Sequence, residues 1–199
     1  MKTKVIFFDL GGVLFTNGSK AFVKYLVEKS GFDEEKVKDL MSGTLGNDYR
    51  VGKISREEFW NRLLSELSID EHMDTLEARW ENGYKLIKET KAIIKKLSKK
   101  YRVYFLSDNI KSRADRLQKK YKFLSLFEDG IFSHEVGVRK PHPKIYEVAL
   151  AKAGVAPKES LFIDDKESSL VPARKMGMQT ILFKSPEGLQ EELQKLGII

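Results

Sequence analysis

The feature that most limits the folds open to this chain is a set of short apolar runs, separated by helical patterns and ending in polar residues. The runs are Val5–Phe8, Val103–Leu106, Ile131–Phe132, Leu161–Ile163 and Thr180–Phe183. Short and rich in β-branched and aromatic residues, they read as buried strands. Helical stripes lie between the later ones. Leu86, Ile93, Ile94 and Leu97 mark one before the second run, and Ile145, Val148, Ala149 and Ala153 mark another before the fourth. Pro143 is placed for a first turn, Gly154 for a helix end, and Ser185-Pro186 for the start of the last helix. Strands alternating with helices imply an α/β fold: a Rossmann-like, doubly wound parallel sheet with helices on both faces.

The alternation breaks once. From Asn17 to Glu89 no run reads as a strand. Ser55-Arg56-Glu57-Glu58 has the pattern of a capping box, with Ile54 and Phe59 spaced as a hydrophobic staple. Phe59, Leu63, Leu64 and Leu67 then form a helical stripe, and Gly31, Gly43, Gly46 and Gly52 punctuate the segment. The expected organisation is an α/β core, residues 1–16 and 90–199, with a helical domain, residues 17–89, inserted after the first strand.

Composition sets the outer bounds. A chain of 199 residues, 41% hydrophobic and 11% aromatic, can bury a sizeable core and is not expected to be disordered. It has no cysteine, which excludes a disulfide framework, a thiol nucleophile and a cysteine-ligated metal. No apolar run approaches the roughly 18 residues of a membrane span. The opening segment Met1–Asp9 reaches a carboxylate where a signal peptide still needs apolar residues. A soluble cytoplasmic protein with no membrane partner is expected. The net charge of +7 permits nucleic-acid binding. However, Lys95-Lys96, Lys99-Lys100 and Lys119-Lys120 sit between apolar residues at helical spacing and read as solvated helix faces. No nucleic-acid partner is expected, and a basic rim that attracts an anionic small substrate is the alternative reading. The oligomeric state stays open.

Ligands in open α/β sheets sit at the carboxyl ends of strands. Those ends carry Asp9, then Ser107-Asp108-Asn109, then Gly137-Val138-Arg139-Lys140-Pro141, then Asp164-Asp165. Taken singly, each is an ordinary turn or cap; Asp164-Asp165 could cap a helix starting near Ser168. Together they bring carboxylates, a hydroxyl and a lysine to one sheet edge. Crowded like charges are costly unless a cation sits between them, and oxygen-only ligands suit Mg²⁺. A carboxylate can act as a nucleophile that becomes an aspartyl-phosphate. A serine and a lysine can hold transferring phosphoryl oxygens, while Gly11-Gly12 allows a tight backbone turn. The histidines, His72, His134 and His142, form no ligand pair at helical spacing, and His142 between two prolines reads as a turn or cap residue.

At these residues the sequence resembles the haloacid dehalogenase-like (HAD) hydrolase superfamily. Its motifs are similar to Phe7-Phe8-Asp9-Leu10-Gly11-Gly12-Val13-Leu14, Phe105-Leu106-Ser107-Asp108-Asn109, Gly137-Val138-Arg139-Lys140-Pro141 with Ile145-Tyr146, and Leu161-Phe162-Ile163-Asp164-Asp165 with Ala173 and Gly177. The helical insert looks like the family's cap domain. The resemblance implies that Asp9 is the nucleophile and a Mg²⁺ ligand. It makes the Gly11 carbonyl a second ligand and Asp165 a third, with Asp164 in support. It also implies that Ser107 and the Asp108 amide bind the phosphoryl oxygens, that Lys140 neutralises their charge, and that Tyr49, Arg50 or Trp80 of the cap touch the leaving group.

The chain departs from the family pattern twice. Family phosphatases carry a second Asp, the general acid and base, where this chain has Gly11. Their fourth motif often has Asp or Asn where this chain has Ser169. Asn17, Tyr49 and His72 are candidates to replace the acid. Dehalogenases of the superfamily also lack that Asp, but they work without a metal and have a less acidic fourth motif. The Asp164-Asp165 pair therefore favours a Mg²⁺-dependent phosphatase of a small phosphorylated metabolite. A carbon–halogen hydrolase and a non-catalytic binding protein are the alternatives.

Overall fold

A computed structural model describes residues 3–199; Met1 and Lys2, the start of the opening segment, lie outside it. The first strand, β1 (Val5–Phe8), is buried throughout. Helices α1 (Gly18–Ser30), α2 (Glu34–Ser42), α3 (Thr44–Arg50), α4 (Arg56–Leu67) and α5 (Met73–Asn82) follow it. Then α6 (Lys88–Leu97) leads into β2 (Arg102–Ser107), α7 (Lys111–Tyr121), β3 (Asp129–Phe132) and the short α8 (Ser133–Val136). The chain closes with α9 (Pro143–Ala153), β4 (Ser160–Asp164), α10 (Glu167–Lys175), β5 (Gln179–Leu182) and α11 (Pro186–Lys195). The predicted strand runs all fall inside these strands apart from Phe183, which lies just past β5.

All pairings in the sheet are parallel, in the order β3-β2-β1-β4-β5. Alternate side chains divide the core between the two faces. Ile6, Phe8, Val103, Phe105, Leu161 and Ile163 pack on one face, under residues of α6, α7 and α11. Val5, Phe7, Tyr104, Leu106 and Phe162 pack on the other, under α9 and α10. The chain winds out from β1 to one side and returns to β4 on the other. The carboxyl ends of β1 and β4 therefore meet at the topological switch point.

The helical insert leaves and re-enters the core at one place. Thr16 N donates to Lys85 O at 2.9 Å and Ile87 N to Leu14 O at 2.8 Å, so the two passages run side by side. The insert has its own aromatic centre. Phe22 stacks on Trp80 with centroids 5.4 Å apart, Tyr49 on Phe59 at 4.4 Å, and Trp60 meets Phe59 edge-on at 5.3 Å. Each such pair contributes about 0.5–1.5 kcal/mol beyond area burial. Ser55 caps α4 by accepting from Glu58 N at 3.1 Å, as the capping pattern predicts. The face turned to the core is polar: Ser112 Oγ donates to Glu77 at 2.9 Å, Ser133 Oγ to Arg50 O at 2.7 Å, and Arg139 Nη2 to Ser42 O at 2.9 Å.

Candidate active site

Sheet register sets the centre of the site. Phe8 stands opposite Phe105 on β2 and Ile163 on β4, so the next residue, Asp9, emerges level with Leu106 and Asp164. Asp9 N continues the ladder to Ile163 O at 2.8 Å. Lys140, from the loop between α8 and α9, reaches into this edge. Its Nζ donates to Asp9 Oδ1 at 2.7 Å, Asp164 Oδ2 at 2.7 Å and Leu106 O at 3.0 Å, which uses all three ammonium protons. The side chains of Lys140, Asp9 and Asp164 are 3%, 9% and 1% exposed. Burial opposes the lysine's charge, but Asp164 and Asp9 outweigh it and hold the ammonium well above its ordinary range. Burial also pushes the Asp9 carboxyl up to about 7. Asp164 and Asp165 add to that push and Lys140 opposes it.

Acidic groups therefore outnumber the one lysine at this edge. Oxygens of Asp9, Asp164 and Asp165 lie within 4.8 Å of one another. Asp165 Oδ1 is buried with no partner, and burial followed by the nearby Asp164 raises its carboxyl above the usual range. An orphaned carboxylate oxygen among other carboxylates fits a bound cation, and an all-oxygen donor set fits Mg²⁺. Asp164 has both oxygens engaged, by Lys140 and by Lys166 N at 2.8 Å, which suits it to a supporting place. Its partner in the loop is thus Lys166 N; α10 itself begins at Glu167 with no side-chain cap.

Gly12 sets the position of Asp165. Its φ is +94°, and a Cβ there would lie 2.2 Å from Asp165 Oδ2. Only glycine allows this approach. At Gly11, by contrast, a Cβ would make ordinary contact with the Tyr84 ring at 3.6 Å.

Asp9, Gly11, Ser107, Asp108, Lys140 and Asp164 line one cavity of about 490 Å³, the size of a small-molecule site. Ser107 is buried, and Asp108 Oδ1 accepts from Lys140 N at 3.0 Å, which ties the β2 loop to the lysine loop. Every residue predicted for phosphoryl binding thus faces the same space as Asp9. Ser169 also lines it, so a hydroxyl stands where a carboxylate or amide was the family expectation.

The insert matches expectation less well. Of the three cap residues named from the sequence, only Arg50 lines the cavity. Tyr49 donates instead to Glu77 at 3.3 Å, and burial pushes its hydroxyl up to about 12. Trp80 is buried, with Nε1 donating to Ser19 Oγ at 3.0 Å. Among the candidate replacement acids, His72 is exposed and caps α5, and Tyr49 is spent in the insert. Asn17 lines the cavity, but its Oδ1 caps α1. His142 caps α9, as its place between prolines suggests. Sequence reading missed Arg113, buried on α7 and lining the cavity; it donates at 3.2 Å to Asn109, the last residue of the Ser107-Asp108-Asn109 run. The one signal was the spacing of Arg113 with Leu117, which puts the arginine on the buried stripe of a helix otherwise crowded with lysines.

The sheet order and the carboxylate cluster at its switch point define a doubly wound, Rossmann-like α/β protein with an acidic site at its strand ends. More narrowly, the chain belongs to the haloacid dehalogenase-like hydrolases, whose family model matches residues 3–177. It is 26% identical to a D-ribitol-5-phosphate phosphatase of Bacteroides thetaiotaomicron, across 98% of each chain. A crystal structure of a HAD family enzyme from that organism, in complex with magnesium and inorganic phosphate, superposes with a TM-score of 0.79. The identity is 26%, over 92% of this chain and 94% of that one. A predicted HAD-like hydrolase from Porphyromonas gingivalis shares the fold with a TM-score of 0.82 at 24% identity, over 98% of each chain. No helix among the described residues is long and apolar enough to cross a membrane.

Proposed function

We propose that this hydrolase is a Mg²⁺-dependent phosphatase of a small phosphorylated metabolite, with Asp9 as its nucleophile. The observation that carries the reading is the buried Asp9–Lys140–Asp164 cluster beside an Asp165 oxygen that has no partner. The phosphatase and the magnesium–phosphate complex among its relatives support it. Asp9, Asp165 and the Gly11 carbonyl would hold the ion, with Asp164 in support. When bound, the ion would supply positive charge that offsets the charge on the phosphoryl group.

The residues of the chain do the rest. Ser107 and the Asp108 amide orient the phosphoryl group, and Lys140 offsets its negative charge. A carboxylate oxygen of Asp9 bonds to phosphorus as the bond to the leaving oxygen breaks. Water then attacks the phosphorus of the aspartyl-phosphate, releasing inorganic phosphate and restoring Asp9. The insert, residues 17–89, acts as the cap that excludes water and selects the leaving group.

Gly11 supplies no general acid, so the leaving oxygen departs with little protonation. A positioned acid typically contributes about 10²–10⁴-fold. Aryl, acyl and anomeric phosphates, whose leaving groups need less help, are therefore the favoured esters.

The test is a panel of phosphate esters assayed with Mg²⁺ and with excess chelator. Turnover that requires Mg²⁺ and falls steeply from aryl to alkyl phosphates supports the reading. Metal-independent hydrolysis of 2-haloacids would replace it with the carbon–halogen reading.

A further inference from the structure

The far side of the cavity has the opposite charge problem. Arg50, at the end of α3, and Arg113, on α7, both line it and are 7% and 2% exposed. Every acceptor they use is neutral. Arg50 Nη1 donates to the carbonyls of Met41 at 2.6 Å and Gly46 at 2.8 Å. Arg113 Nη1 donates to the Tyr84 hydroxyl and the Asn109 side-chain oxygen, both at 3.2 Å. The buried acids of α5 make no hydrogen bond or ion pair with either arginine: Glu77 pairs with Arg56 at 2.6 Å and Glu81 with Arg116 at 3.0 Å.

Both guanidinium groups lie over the Trp80 ring, at 3.8 Å for Arg113 and 5.7 Å for Arg50. A ring quadrupole softens a buried cation without neutralising it. Arg113 Nε and Nη2 are buried with no acceptor. Burial, reinforced by the charge of Arg113, pulls the Arg50 guanidinium down to about 10. Lys20 and Lys38 also line the cavity; so does Glu34, which pairs with Lys38 at 2.7 Å. Two buried cations that hydrogen-bond no carboxylate, although the charge of Asp108 acts on Arg50 and that of Arg113 on Glu81, mirror the carboxylates at the sheet edge, which fit a cation.

We propose that the leaving half of the substrate carries an oxyanion of its own, a carboxylate or a second phosphate. Arg50 reads it with the guanidinium nitrogens left free by its two carbonyl contacts, and Arg113 supplies the second charge from behind. The inference rests on the phosphatase reading, since it concerns the part of the ester that departs. It also distinguishes this chain from a phosphatase of simple polyol phosphates, whose leaving alcohol is neutral.

The experiment compares kcat/KM for matched esters: a phosphorylated hydroxy acid, the bisphosphate, and the phosphorylated diol with the same carbon skeleton. The expected result is a preference of about tenfold or more for one of the anionic esters, carried mainly by KM. Whichever of the two is favoured identifies the oxyanion. The preference should fall to about twofold or less in Arg50→Gln and return in part in Arg50→Lys. Equal kcat/KM for all three in the wild type overturns the inference and leaves the phosphatase reading standing. If no ester is turned over, the phosphatase reading fails, and binding decides the inference separately. Melting shifts of the wild-type protein with an alkylphosphonate are then compared with those for its ω-carboxy and ω-phosphono analogues. A larger shift with an anionic analogue, lost in Arg50→Gln, supports the anion site, and equal shifts overturn it.

Discussion

The sheet end and the insert end of the cavity solve opposite electrostatic problems by different means. At the sheet end, Asp9 and Asp164 follow directly from strands whose register leaves little freedom, and a lysine from a neighbouring loop bridges them. At the other end, Arg50 of the insert and Arg113 of the core helix α7 are long side chains held by carbonyls, a tyrosine hydroxyl, an asparagine and the Trp80 ring. The first arrangement positions charge to within the precision of a β-ladder and suits bond-making. The second positions charge through side chains that can be exchanged without disturbing the sheet, and suits the selection of substrates.

The largest expected effect comes from breaking the sheet end at its centre. Asp9→Asn removes the proposed nucleophile but keeps the side chain's size, so turnover should fall on the order of 10³-fold or more with the fold intact. Single-turnover kinetics and circular dichroism on the same sample check both halves. Residual activity above a few per cent in a folded protein would remove Asp9 from the covalent role.

Lys140 provides the next step down, read in stability. Replacing it with Met leaves Asp9 and Asp164 buried without a counter-charge, and breaking a buried pair this way costs about 3–5 kcal/mol. Chemical denaturation of Lys140→Met should show that loss, and Mg²⁺ should restore part of it. A truncation at the other end behaves differently: Arg50→Gln removes a buried charge whose hydrogen bonds go to carbonyls and to no carboxylate, and leaves no carboxylate unpaired, so its stability should change far less. Similar losses in both variants would erase the contrast between the two ends.

A smaller effect is expected from Gly12→Ala. The added Cβ meets Asp165, and the backbone must keep a positive φ that costs alanine roughly 1–2 kcal/mol. The variant should lose most of the increase in melting temperature that Mg²⁺ gives the wild type. Gly188→Ala, on α11, where the Cβ makes only ordinary contact, serves as the control. A full Mg²⁺ shift in Gly12→Ala would mean that Asp165 does not hold the ion.

The two ends also differ in how legible they were. Buried parallel strands show as short apolar runs with polar residues at their ends, so Asp9, Ser107 and Asp164-Asp165 stood out by position, whereas Lys140, beyond α8, stood out through its motif. In the insert no such frame exists. Tyr49, Arg50 and Trp80 were equivalent guesses because helical periodicity does not say which neighbour a buried side chain meets. Arg113 was hidden among the lysines of α7, where charge pattern outweighs the single apolar stripe. Glu77 and Glu81 were hidden too, four residues apart on the face of α5 that also buries Leu76 and Trp80. Sequence periodicity marks a face as buried but does not announce that the buried face is charged.

Glu81 gives the last test, because it is the insert's counterpart of the Lys140 pair. It is 7% exposed, and Arg116 touches Oε2 at 3.0 Å from a half-exposed position. Its Oε1 is buried without a partner. Burial raises its carboxyl to about 7; Glu77 adds to the rise, while Arg116, Arg113 and Arg56 oppose it. The folded-state value therefore lies above that of the unfolded chain. Below about pH 4.5 both states hold the proton and Glu81 adds no pH dependence. Between there and pH 7 the unfolded chain releases the proton while the folded one keeps it, so rising pH lowers stability. Above pH 7 the penalty is constant, on the order of 1–3 kcal/mol. Glu81→Gln should match the wild type near pH 4 and exceed it by that amount near pH 8. Denaturation curves at a series of pH values for the two proteins measure the difference directly. Parallel curves would show that Arg116 fully neutralises Glu81 and that the insert's ion pair is as well compensated as the one on the sheet.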